Sequence, residues 1–168
     1  MKTRFNFFLS LTILYAILIF YLSSKSSLGD PRTILDMDIL RNLIHFFEDS
    51  DLKFVLFPFA IFYRYPDKTM HMILYAGFGV LLFYTLKYSL NPVFRKQAFL
   101  FAIIIGFIYG ASDEFHQSFV PGRSASMWDL AADVLGVTTA QTIIFIKDKI
   151  CNRYKNSSQR SIRQDNFK

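Results

Sequence analysis

The sequence predicts an all-α integral membrane protein, a bundle of about four transmembrane helices with both termini in the cytoplasm. Three observations carry that expectation. Of 168 residues, 52% are hydrophobic, and 20 Phe and 9 Tyr are among them, which is more apolar surface than a water-soluble chain of this size can hide. Four segments reach the length of about 20 mainly apolar residues needed to cross a hydrocarbon core about 30 Å thick. The basic residues crowd the termini and one short loop, where the positive-inside rule expects them. The formal charge of +6 therefore reads as topology, and no nucleic-acid partner is expected.

The first span, residues 5–22, carries no charge and follows Lys2 and Arg4. It is longer than a signal-peptide h-region of about 7–15 residues, and Tyr21-Leu22-Ser23-Ser24 offers no A-x-A cleavage site, so an uncleaved span is expected. Further spans are predicted over 69–86, 97–115 and 127–146. Lys2 and Arg4 precede the first span, Lys87, Arg95 and Lys96 lie between the second and third, and Lys147, Lys149, Arg153 and Lys155 follow the fourth. With four spans all three regions fall on one side, which should be the cytoplasm.

The connection from Ser23 to Lys68 carries six basic and seven acidic residues and so shows no inward bias; it belongs outside. Within it, residues 39–47 place apolar side chains at helical spacing, as in an interfacial amphipathic helix. Residues 54–63 are apolar for too short a stretch to cross and contain Pro58, which suits a re-entrant or packed segment. Residues 1–150 form the transmembrane domain, and 151–168 a basic, disordered cytoplasmic tail. The single cysteine, Cys151, excludes an internal disulfide and a multi-cysteine metal cage.

Several polar residues sit where lipid penalises them. A central Asp costs about 2.5–3.5 kcal/mol on insertion, against about 0.3–0.6 gained per Leu, Ile, Phe or Val, so Asp133 nearly cancels the drive of its own span. It must face the bundle interior, neutral or against a donor. Asp129 shares its face at i, i+4, and Ser126-Met127-Trp128-Asp129 also matches a capping box. On the third span Asp113 pairs with Gln117 at i, i+4 and with His116 at i, i+3, which turns Glu114 to another side. His71 and Tyr75 stack on one face where the second span begins. Arg123 follows Pro121-Gly122 in the last outer loop. Three helices thus converge at one level, near the outer interface.

The pattern His71-x3-Tyr75-x3-Gly79, then Asp113-Glu114-x-His116-Gln117-x-Phe119-Val120-Pro121-Gly122-Arg123, then Asp129-x3-Asp133-x2-Gly136 resembles the VanZ-like family, named for a teicoplanin-resistance protein. The resemblance runs from about Thr69 to Gly136, and the run from Asp113 to Arg123 is its most specific part. One departure is visible: the family pattern usually has asparagine where this chain has Asp133. The resemblance implies a multi-pass protein of the bacterial cytoplasmic (inner) membrane, connected through its founding member with reduced susceptibility to a lipoglycopeptide.

Three functions fit these residues. An envelope factor would use an outward polar pocket of His71, Tyr75, Asp113, Glu114, His116, Gln117, Arg123, Asp129 and Asp133 to bind a lipid-linked precursor or a glycopeptide-like ligand, with Arg123 holding a phosphate or carboxylate. An intramembrane hydrolase or transferase acting on a lipid or phosphate ester would use His71, Asp113 and Glu114 as catalytic candidates and, with Asp133, as ligands of a divalent metal. A small proton-coupled transporter would use the intramembrane acids as a relay. Membrane lipids are the expected partners; the sequence specifies neither a cofactor nor an oligomeric state.

Overall fold

The computed structural model describes residues 1–26 and 64–165, with side chains as far as Tyr154. Five helices make up these residues: α1 (Lys2–Ser23), α2 (Pro66–Lys87), α3 (Pro92–Lys96), α4 (Ala98–Gln117) and α5 (Met127–Asp165). No strand occurs among the described residues. α1, α2, α4 and the Met127–Tyr154 part of α5 are each long and apolar enough to span a membrane, at 1.5 Å of rise per residue. The interfacial segment at 39–47 and the re-entrant candidate at 54–63 lie outside the described residues. α5 continues as helix to Asp165, into the basic segment for which the sequence predicts disorder.

The helix ends follow local chemistry. Pro66 opens α2, where its missing N–H removes a donor the first turn could not pair anyway. Pro92 does the same for α3, and Asn91 caps it by accepting the Val93 N–H at 2.9 Å. α3 is a one-turn corner that carries Arg95 and Lys96 between α2 and α4.

Contacts between ends give an up-down-up-down order. At one end the start of α1 meets the end of α2: Phe8 stacks on Tyr88 at 5.5 Å, and the Arg4 guanidinium lies 5.7 Å from the Tyr88 ring. Lys87 reaches Asp148 of α5 at 3.2 Å there. At the opposite end Ser24 meets His116, Arg123 approaches Asp67 and Lys68 meets Asp129. Two polar clusters therefore mark the two ends, and the buried acids, Asp113, Glu114, Asp129 and Asp133, belong to the second.

Glycines set how closely the helices approach. A Cβ on Gly136 would lie 2.2 Å from the Met72 carbonyl oxygen, and one on Gly79 would lie 3.1 Å from the Val137 Cα. α2 and α5 thus run almost backbone to backbone, in the small-residue manner of membrane helices. Val137 fills the centre, fully buried against Gly79 and Gly106. Interhelical hydrogen bonds hold the remaining seams: Thr12 with Thr85 at 2.8 Å, Tyr109 Oη to the Ala16 carbonyl at 2.6 Å, and Gln141 Nε2 to the Gly79 carbonyl at 2.9 Å. α1 is the most loosely covered span, with a long row of exposed apolar side chains from Ile13 to Tyr21 that suits contact with lipid.

Candidate functional site

The close approach at Gly136 brings α2 and α5 together just where their polar residues lie, one turn away. His71 Nδ1 bonds Asp133 Oδ1 at 2.9 Å, and Asp133 is completely buried. The costly acid of the last span has thus met a donor in the bundle interior, as its insertion energy demands. Its second oxygen, Oδ2, has no hydrogen-bond partner among the described residues.

α4 supplies the next side chains. Gln117 Nε2 donates to Asp113 Oδ2 at 3.2 Å, along the i, i+4 face expected from the sequence, while Asp113 Oδ1 has no partner among the described residues. Tyr75, one turn along α2 from His71, is 1% exposed, and its hydroxyl also lacks a partner among the described residues. His71, Tyr75, Asp113, Gln117 and Arg123 line one cavity of about 190 Å³, with Ser23 of α1 and Asp67 of α2. Ile19, Leu22, Met70 and Leu74 form its apolar wall. Arg123 reaches it from the α4–α5 loop, where Gly122, at φ 82°, makes the left-handed turn that glycine adopts without penalty.

Three candidates take other places. His116 turns to α1: its Nε2 lies 3.0 Å from Ser24 Oγ, and its ring stacks on Phe20 at 4.3 Å. It is therefore not a cavity residue, because α1 ends opposite it. Glu114 lies on a side of α4 other than that of Asp113 and is buried there; its Oε2 accepts the backbone N–H of Ser126 at 2.7 Å. That bond changes the reading of the capping box. Ser126 Oγ does accept the Asp129 N–H at 3.3 Å, but the reciprocal bond to Ser126 comes from Glu114 across the helix pair. Asp129 is thereby released to pair with the ammonium of Lys68.

Lys68, Asp67, Ser23 and the backbone N–H of Ser126 are site groups that the sequence reading does not single out. Lys68 had been counted with the outer connection; its position one helical turn before His71 was the available signal. Asp67 lies 3.8 Å from Arg123 and steers the guanidinium. The Ser126 backbone carried no signal, because its partner belongs to another helix.

Two groups of side chains offer donor atoms that all lie within 4.8 Å of one another: His71, Glu114 and Asp133, all buried, and Asp67, His71 and Asp129, of which Asp67 is exposed. In the second group Asp67 and Asp129 already face the side-chain cations Arg123 and Lys68.

With this geometry in view, the sequence matches the VanZ/LLP1 family over residues 7–148. The chain belongs to the VanZ/LLP1 family. The match covers the second and third candidate spans whole and most of the first and fourth, as well as the polar end of the bundle, so this VanZ/LLP1 protein is a multi-pass membrane protein. No curated protein and no solved structure matches the chain.

Proposed function

We propose that this VanZ/LLP1 protein is a cell-envelope factor that binds the anionic head group of a membrane lipid in the cavity between α1, α2 and α4, on the non-cytoplasmic side of the bacterial inner membrane. Arg123 carries the reading. Its guanidinium, with 15% of the side chain exposed, faces the cavity and has its nearest carboxylate at 3.8 Å. Such a fork offers five donors, and a long contact to one carboxylate leaves several for a phosphate. Gln117, bonded through Nε2 to Asp113, lines the same space as a further polar group.

Size separates the ligand classes. Pockets for drug-sized molecules run about 300–1,000 Å³, and this cavity is about 190 Å³. A phosphate ester fits it; a whole glycopeptide does not. The mixed lining suits an amphiphile, with the head group among Arg123, Gln117 and His71 and the first acyl carbons along Ile19, Leu22 and Leu74. An effect on susceptibility to an antibiotic that targets envelope lipids would follow from occupancy of such a lipid.

The test is the lipid that stays with the purified chain. Protein extracted in mild detergent should retain about one anionic lipid per chain. Arg123→Ala should lose it, and Arg123→Lys should retain an intermediate amount because an ammonium is not a bidentate fork. Identical lipid content in all three proteins would remove the basis of the proposal.

A further inference from the structure

The buried acids present a charge problem that the described side chains around them leave unsolved. Asp113, Glu114 and Asp133 are 4%, 6% and 0% exposed, and each keeps one carboxylate oxygen without a hydrogen-bond partner among the described residues. Buried carboxylates persist when they are paired, protonated or bound to a metal. The nearby side-chain cations are engaged at the rim: Lys68 with Asp129, and Arg123 beside Asp67. Among the described residues, His71 reaches one oxygen of Asp133 and no further acid by hydrogen bond. Two of the unpartnered oxygens, Glu114 Oε1 and Asp133 Oδ2, belong to residues whose donor atoms gather with those of His71 within 4.8 Å.

We propose that His71, Glu114 and Asp133 hold a divalent metal cation, Zn²⁺ or Mn²⁺, at the base of the polar end of the bundle. At metal–ligand bonds of about 2.0–2.2 Å, neighbouring donors around a tetrahedral ion stand about 3.3–3.6 Å apart. The observed spread of up to 4.8 Å closes to that with small side-chain rotations. One imidazole nitrogen and two carboxylates are a donor set suited to first-row divalent ions. Three protein ligands leave a coordination position open, and His71 borders the cavity that Asp113, Tyr75 and Arg123 also line. The alternative group of Asp67, His71 and Asp129 is disfavoured, because an ion there would displace Lys68 and face bulk solvent through Asp67. The metal site goes beyond the lipid reading and stands without it, since every observation that carries it concerns protein atoms alone.

Metal content decides the matter. The full chain, purified in detergent, is loaded with Zn²⁺ or Mn²⁺ separately, passed through a desalting column, and its metal measured by mass spectrometry against protein concentration. Wild type should retain close to one ion per chain, while Glu114→Gln and Asp133→Asn should retain at least tenfold less. Asp133→Asn keeps an acceptor for His71 and introduces the residue usual in the family pattern, and Glu114→Gln keeps an acceptor for Ser126, so both should fold. Melting temperature provides a second readout: added ion should raise it in wild type and leave it unmoved in the variants. Wild type with no retained ion, or variants that retain as much as wild type, would overturn the site. Retention lost in Asp129→Asn but kept in Glu114→Gln would also overturn it, by moving the ion to the rim. Absence of bound lipid has no bearing on these measurements, so the two proposals fail separately.

Discussion

Gly136→Ala is the sharpest test of how the two polar helices are held. The added Cβ would meet the Met72 carbonyl oxygen at 2.2 Å and both the Ala76 nitrogen and the Met72 carbonyl carbon at 3.0 Å. All three are backbone atoms of α2, so no side chain can swing aside. The helices have to separate locally by roughly an ångström. Overpacking of this kind costs about 1–3 kcal/mol, while Ala gains back up to about 1 kcal/mol of helix propensity over Gly. A net loss of about 1–2 kcal/mol is expected, which at about 2–4 °C per kcal/mol for a chain of this size is a drop of several degrees in melting temperature. Gly77→Ala is the matched comparison. Its Cβ would meet the Tyr15 hydroxyl at 2.5 Å, the far end of a side chain that can rotate away, so its melting temperature should stay near wild type. The assay is thermal unfolding of both variants and wild type in the same detergent, followed by loss of the monodisperse elution peak. If Gly136→Ala melts with wild type, or Gly77→Ala falls further than Gly136→Ala, the close α2–α5 contact is wrong.

Other substitutions separate the roles of the polar side chains. His71→Ala strands Asp133 in a buried position and should cost about 3–5 kcal/mol, the penalty for breaking a buried pair from one side; Asp133→Asn should cost less than half as much, and the ratio is read from melting temperatures. Glu114→Ala removes the acceptor for the Ser126 N–H and should destabilise by about 1–2 kcal/mol, whereas Glu114→Gln should recover most of that in the same melts. Lys68→Met leaves the buried Asp129 carboxylate unpaired and should lower stability by more than Lys87→Met, whose pair with Asp148 is half exposed and worth under about 1 kcal/mol. Equal effects for the two lysines would show that the Lys68–Asp129 contact does not hold the polar end.

The spans were legible in the sequence because crossing a bilayer is a demand on length and composition, and each segment states it by itself. The depth of Asp133 and the shared face of Asp113 and Gln117 were legible for similar reasons: an insertion penalty and an i, i+4 spacing need no knowledge of neighbours. What failed was anything that depended on which helix stands opposite. Glu114 was turned aside on a wheel drawn for α4 alone, yet that side faces the start of α5 and the Ser126 N–H. His116 shares a sector with Asp113, but the end of α1 takes it through Ser24 and Phe20. Lys68 looked like a loop charge until α5 brought Asp129 beside it. The capping box was half right, since its serine acts as expected while its acid is replaced by one from another helix.

The central claim is that Arg123 and the cavity beneath it select an anionic head group. Native mass spectrometry of the delipidated chain, titrated with undecaprenyl phosphate, phosphatidylglycerol or phosphatidylethanolamine, measures this directly. A single adduct is expected with the two anionic lipids at concentrations at least tenfold below those needed for phosphatidylethanolamine, with loss of that preference in Arg123→Ala. Equal binding of all three lipids by wild type, or an anionic preference that survives Arg123→Ala, would contradict it.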